Sequence, residues 1–257
     1  MKWIEAALVS AVFPSSIMAQ NPGQKVTIGV QVSSVVARSD TIGITSVVTN
    51  LGNSQESLVR YSVDAPSGVV IIHTPVPESE WIVFQDFRSR PMAFWGILGL
   101  LTPGSSTPAL YFESVGLPGI LTYWAGGKYE LQPGDDLPES TPIPDPLTTS
   151  MITGKTVGVE PFPPDRTSPA LLARLRTLTQ STCNASLLWI TSATLCSQLV
   201  NDIDQADVHH ANGQNALAKD VLIHYAGLLL DGSNTGSVTS SGYWLLKTNA
   251  EIISAGL

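Results

Sequence analysis

The residues most able to do chemistry are gathered in one stretch. His209 and His210 follow Asp202, Asp204 and Asp207, and His224 stands further along the same run, so residues 199–230 hold three of the four histidines. Imidazole and carboxylate groups bind metals and move protons. On a helix, however, neighbours diverge by about 100°, so His209 and His210 cannot share a ligand face. Asp207 and His210, three residues apart, could supply two ligands, with the rest coming from another helix. The plainer expectation is that His210 continues an apolar stripe close to a helix C-terminus, where the dipole favours imidazolium. The aspartates then belong to a solvated face, and no metal site is expected.

Other chemical patterns are weaker. Asp231-Gly232-Ser233-Asn234-Thr235-Gly236 opens like a calcium loop, but Gly242 stands where the chelating Glu is needed, which leaves a helix–helix turn. A serine hydrolase would need a nucleophile elbow, and no G-x-S-x-G occurs. His73 is the only histidine of the first half. Glu78, Glu80, Asp86 and Glu113 could furnish a glycosidase-type carboxylate pair, though spacing singles out no two of them. No phosphate-binding glycine loop is present. No catalytic residue, cofactor or metal is therefore assigned. The connection from Val115 to Ile120, with Gly116 and Gly119, reads as a tight turn or a ligand loop.

Sugar-binding modules stack the C–H face of a sugar on exposed rings. The first half is rich in rings, including Phe84, Phe94, Tyr111, Phe112 and Tyr123, and Trp81, Trp95 and Trp124 are the candidate platforms. The competing expectation is that most of these rings fill a core. Cys183 and Cys196 have no nearby Cys or His with which to build a four-ligand zinc site. In an exported chain they would form one disulfide, stabilising the fold by about 3 kcal/mol; two buried thiols are the alternative.

Composition narrows the function classes. Only 13% of residues are charged and the formal net charge is −8, so phosphate backbones and anionic lipid surfaces are repelled. Nucleic acid is excluded as the expected partner; an unknown protein or a polysaccharide remains. At the N-terminus, Lys2 precedes an apolar run that ends at small residues, which reads as a signal peptide over residues 1–19 cleaved after Ala19. A first buried strand or helix is the alternative. The longest later apolar run, residues 92–101, is half the length of a membrane-spanning helix, so no membrane span is expected. The expected location is extracellular.

The elements that would position these residues fall into two kinds. Over residues 25–131, eight short β-branched and aromatic runs alternate with Gly/Pro turns: 25–32, 43–50, 57–64, 68–74, 80–86, 91–98, 109–113 and 119–124. They predict an antiparallel, Ig-like β-sandwich, with Val26, Ile28, Val30 and Val32 on one face of the first strand. Residues 132–165 are rich in proline and read as a semi-rigid, extended linker or a crossing strand, with an edge strand at 155–159. From residue 166 to 257 the period becomes helical. Ser168-Pro169 forms a capped start, with Leu171, Leu172, Leu175 and Leu178 on one face behind it. Leu195, Leu199, Ile203 and Ala206 line a second helix that ends at Gly213. Leu217, Val221, His224, Tyr225 and Leu228 mark a third, and Leu245, Leu246, Ala250, Ile253 and Leu257 a fourth. Short connections predict an antiparallel four-helix bundle, giving an α+β chain of two domains.

The helical half resembles a known family on particular residues. These are Leu199, Ile203-Asp204-Gln205-Ala206, Gly213, Ala216, Lys219, Leu222, Tyr225-Ala226, Gly236, Val238 and the run from Tyr243 to Ile253. On these residues it is similar to the FIMAH domain, a small helical module at the C-terminal ends of exported microbial proteins. The resemblance implies a non-catalytic accessory module and supplies no catalytic residues. The whole chain is thus expected to be an exported, non-catalytic interaction protein. The alternatives are a carbohydrate-binding accessory protein and a small hydrolase with a carboxylate pair.

Overall fold

The computed structural model describes residues 26–64, 70–73, 81–86, 92–127 and 151–257. The expected signal peptide, residues 132–150 of the expected linker, Glu78 and Glu80 lie outside the described residues, as do the side chains of His73, Trp81, Asp86 and Trp95. Nine strands form two antiparallel sheets. In the first the order is β1 (Ile28–Arg38), β2 (Thr41–Asn50), β7 (Leu110–Val115), β4 (Val70–His73). In the second it is β5 (Trp81–Asp86), β6 (Met92–Leu101), β3 (Leu58–Asp64), β8 (Leu117–Gly127), β9 (Met151–Glu160).

Each of the eight expected runs carries a strand. The edge strand expected at 155–159 is present and longer than expected: Met151–Glu160 ends the second sheet and pairs antiparallel along nearly all of β8. Thr156, Val157 and Val159 are buried there, so the segment has apolar surface to hide despite its proline-rich flanks. In β2 the buried positions Ile42, Ile44, Ser46 and Val48 recur every second residue, as one inward face requires. β1 departs from its expected face. The register shifts between Val32 and Ser34, and the inward residues become Val32 and Val35, while Ile28 and Val30 are only half-buried. One extra residue in a strand reverses which side chains face inward.

Four helices follow: α1 (Ser168–Cys183), α2 (Ala193–Ala211), α3 (Asn215–Asn234) and α4 (Ser240–Gly256). The expected cap at Ser168 moves to Thr167, whose N–H donates to the Asp165 carboxylate at 2.8 Å. Ser192 and Thr239 cap α2 and α4 through the N–H groups of Leu195 and Gly242. Gly213 turns the chain between α2 and α3 at φ 72°, a conformation that costs a side chain and suits glycine. A disulfide joins Cys183 at the end of α1 to Cys196 in the first turn of α2, with Cα atoms 6.1 Å apart.

The buried faces of α1, α2 and α4 follow the expected leucine spacing. That of α3 is rotated. Ala218, Leu222, Tyr225, Leu229 and Gly232 are buried, whereas Leu217 and His224, expected on the stripe, are exposed. α3 is apolar on more than one side, so spacing alone could not choose its inward face. One continuous cluster of buried apolar residues runs through both sheets and all four helices. The helices meet in chain order, with α1 also touching α4. The extensive helix–strand contacts are made by α4, chiefly against β1 and β8. α1 reaches the sheets through Arg174, which bonds Pro118 and Glu160, so α1 and α4 lie toward the sheets and the α2–α3 hairpin lies outside them.

Candidate functional site

The outer hairpin holds the histidines and aspartates most able to do chemistry, although no site was expected among them. A groove of about 560 Å³ runs between α2 and α3. Asp202, Gln205 and His209 enter it from α2 at helical spacing, and His224, Val221 and Leu217 face them in the reverse order from α3. Each facing pair is equally distant from Gly213 along the chain, because two antiparallel helices of equal pitch meet residue for residue about their turn.

At the floor of the groove Asp202 is only 6% exposed. Its Oδ2 lies 2.8 Å from Nδ1 of His224, whose side chain is 65% exposed. An acceptor carboxylate assigns the Nδ1 proton to the ring and leaves Nε2 as the outward nitrogen. The solvated-face expectation is therefore corrected at Asp202. Asp204 instead pairs with Arg176 of α1. Two further imidazoles end α2: Nδ1 of His209 bonds Oε1 of Gln214 at 2.8 Å, and Nδ1 of His210 bonds Oδ1 of Asn215 at 2.9 Å. His209 and His210 diverge as helical geometry demands, and only His209 lines the groove. Among the described residues no group of three or more His, Cys, Asp and Glu could hold a metal ion.

Chemically, a carboxylate-braced imidazole is a proton-transfer pair. Nucleophilic catalysis also needs a hydroxyl or thiol beside it, and no Ser, Thr or Cys is among the described residues lining the groove. Asn201, Gln205, Asp202 and Asp220 offer acceptors, while Val221 and Leu217 offer apolar contact.

The Val115–Ile120 region, considered above as a ligand loop, is used within the protein. The Pro118 carbonyl accepts from Nη2 of Arg174 at 2.7 Å and from Nδ2 of Asn249 at 3.1 Å. Arg174 also bonds Oε2 of Glu160 at 2.9 Å and Oδ1 of Asn249 at 2.6 Å, while Oε1 of Glu160 accepts from the Ile120 N–H. A Cβ on Gly119 would lie 2.1 Å from Cδ of Glu160, so glycine leaves the space in which that carboxylate reaches Arg174. This network seats α1 and α4 on β8 and β9.

The calcium-like stretch is helix end and turn. The carbonyls of Asp231 and Gly232 accept from Thr235. Of the aromatic candidates, Trp124 is 7% exposed and leaves little ring for a sugar. Trp81 pairs with Ile97 across β5 and β6, and Trp95 pairs with Tyr61 and Val83, so the three tryptophans occupy separate register positions. Glu113 accepts from the Tyr111 hydroxyl at 2.7 Å. The phenols of Tyr61 and Tyr225 are pushed far above their ordinary range by complete burial.

Sequence reasoning placed Asp202 and His224 in the same hairpin but did not pair them. The signal was their equal distance from Gly213, obscured because His224 was read as part of the apolar stripe. No protein-family model matches this chain, and no match to it was found among curated proteins.

Proposed function

We propose that the protein is an exported, non-catalytic interaction protein. In this reading the two sheets stack as a β-sandwich platform, and the helices form a FIMAH-like four-helix bundle that meets its partner through the α2–α3 hairpin. One observation carries it: with α1 and α4 turned to the sheets, the outward hairpin leaves Val208, Leu217, Ile223 and Leu230 exposed by 46 to 65%. Large apolar side chains left in solvent beside polar groups are a feature of interaction surfaces. The apolar positions on which the resemblance rests, among them Leu199, Ile203, Ala206, Leu222, Tyr225, Leu245 and Ile253, are buried, as a packed helical module requires. The disulfide fits an oxidising compartment.

The test places a photo-crosslinking residue at Ile223, at Leu230 or, as a control, at Val36 on β1, in the full chain returned to its producing cells and their medium. Specific adducts at the two helical positions and none at Val36 are expected. Equal labelling at all three, or none, overturns the reading. Mass spectrometry of exported protein should find a chain beginning at Gln20.

A further inference from the structure

We propose that the α2–α3 groove is a receptor for a basic side chain of a partner protein, an arginine guanidinium above a lysine ammonium. This rests on the reading of the outer hairpin as the recognition surface and names the chemistry it would recognise.

The argument begins with Asp202. Its side chain is about nine-tenths buried at the groove floor, and its Oδ2 accepts from His224. Among the described residues it has no second hydrogen-bond partner, so Oδ1 is left free in the groove. A carboxylate withdrawn from water is ordinarily compensated by several donors or by a cation, because desolvating the charge is costly otherwise. His224 supplies one donor. The geometry thus leaves an acceptor in a partly dehydrated place, where a charge-assisted bond is stronger than at open surface.

The surroundings select the sign and shape of what could fill it. Asp220 adds a second carboxylate, and among the described residues no Lys or Arg lines the groove, so anions are repelled and cations drawn in. Asn201 and Gln205 line the groove with Asp202 and carry side-chain carbonyls able to accept. A guanidinium presents five N–H donors in one plane and can bond a carboxylate and flanking amides together, whereas an ammonium offers a point charge. Val221 and Leu217 wall the groove toward its His209 end, giving a long basic side chain apolar surface for its methylenes. A bare metal ion is not favoured, since the described residues assemble no set of three ligands.

The proposal is tested on the full, disulfide-intact chain by amide NMR titration with N-acetyl-arginine methylamide, its lysine counterpart and its citrulline counterpart. Citrulline keeps the shape of arginine and loses the charge. Saturable shifts at Asn201, Asp202, Gln205 and Val221 are expected with arginine. Affinity should fall at least tenfold for citrulline and at least tenfold in Asp202→Asn, with lysine between arginine and citrulline. Should Asp202→Asn fail to fold, Asp220→Asn is expected to weaken arginine several-fold, as is raising NaCl on the unaltered protein. Equal binding of citrulline, equal shifts with maltotriose, or no saturable shift overturns the proposal. If Ile223 and Leu230 still crosslink while arginine does not bind, the hairpin remains an interaction surface and only its ligand class is withdrawn.

Discussion

Two polar clusters sit at opposite sides of the helical layer, and they differ in how completely they are satisfied. On the sheet side, the Arg174 guanidinium reaches three acceptors, the Asn249 amide bonds both Arg174 and the Pro118 carbonyl, and Glu160 bonds through both oxygens. On the outer side, Asp202 is more buried than Arg174, yet one imidazole is its whole complement among the described residues. Closed polar networks fix geometry, because every group already has its partner. An open one keeps bonding capacity for something else. Residue type does not separate the two clusters; the number of bonds left to make does.

That contrast can be broken from several directions. The largest effect is expected from cutting the tie between the layers: Cys183→Ser with Cys196→Ser should lower unfolding free energy by about 3 kcal/mol, since the bond closes a loop of sequence separation 13. Urea denaturation of the double variant beside the oxidised protein measures it. Next, Arg174→Met removes the hub of the closed network and strands Glu160 and Pro118. A loss of about 2 kcal/mol is expected, with faster hydrogen exchange at the Ile120 amide. A loss no larger than for an exposed arginine would mean that apolar packing of α4 alone seats the helices.

The interior of the helical layer offers a finer test. The Thr179 hydroxyl donates to the Leu175 carbonyl at 2.9 Å, so it accepts the Tyr225 hydroxyl at 2.8 Å. Thr179→Val leaves a fully buried phenol without its partner and should cost about 2 kcal/mol, whereas Tyr225→Phe leaves Thr179 bonded and should cost about 1 kcal/mol. Thermal unfolding of the two variants should reproduce that order. The same burial makes stability sensitive to alkali. Tyr61, Tyr123 and Tyr225 are held above the ordinary phenol value of 10.0, chiefly by desolvation. The unfolded chain therefore releases these protons first. Stability from this source is complete below about pH 10 and declines above it, by about 1.4 kcal/mol per pH unit for each tyrosine involved. A flat profile from pH 9 to 11.5 would contradict these burials.

The smallest effect concerns the outer hairpin itself. Gly227 is exposed in the middle of α3, and a Cβ there would meet nothing within 4 Å. Gly227→Ala should raise stability by about 0.5 to 1 kcal/mol through helix propensity and leave arginine binding unchanged. Weaker crosslinking at Ile223 in that variant would show that the partner approaches the helix backbone at Gly227.

The chain order of strands and helices could be read from periodicity because each element buries one face. The eight strand runs, the Gly213 turn and the buried leucines of α1 were available in this way. Three features were not. The extra residue at Val32/Ser34 is invisible to an alternation count, which cannot know where parity reverses. The inward face of α3 was ambiguous because Leu217, Val221 and Leu228 form as regular a series as Ala218, Leu222 and Leu229. The seat of the helices on the sheets depends on a backbone carbonyl, Pro118, which carries no side-chain signal. For the candidate groove, its residues were in view and only their pairing across the hairpin was missed.

The connection between β9 and α1 is short: Glu160 ends the strand and Ser168 begins the helix. Residues 161–167 span about 23 Å at full stretch. Helices released from the sheets would therefore stay within reach of them, and reattachment would be a unimolecular event at high effective concentration. Arg174, Glu160 and Asn249 need only modest intrinsic affinity to keep the interface closed almost all the time. Their selective value lies in orientation, since a tether holds two bodies near each other but does not choose which face of α4 meets β8.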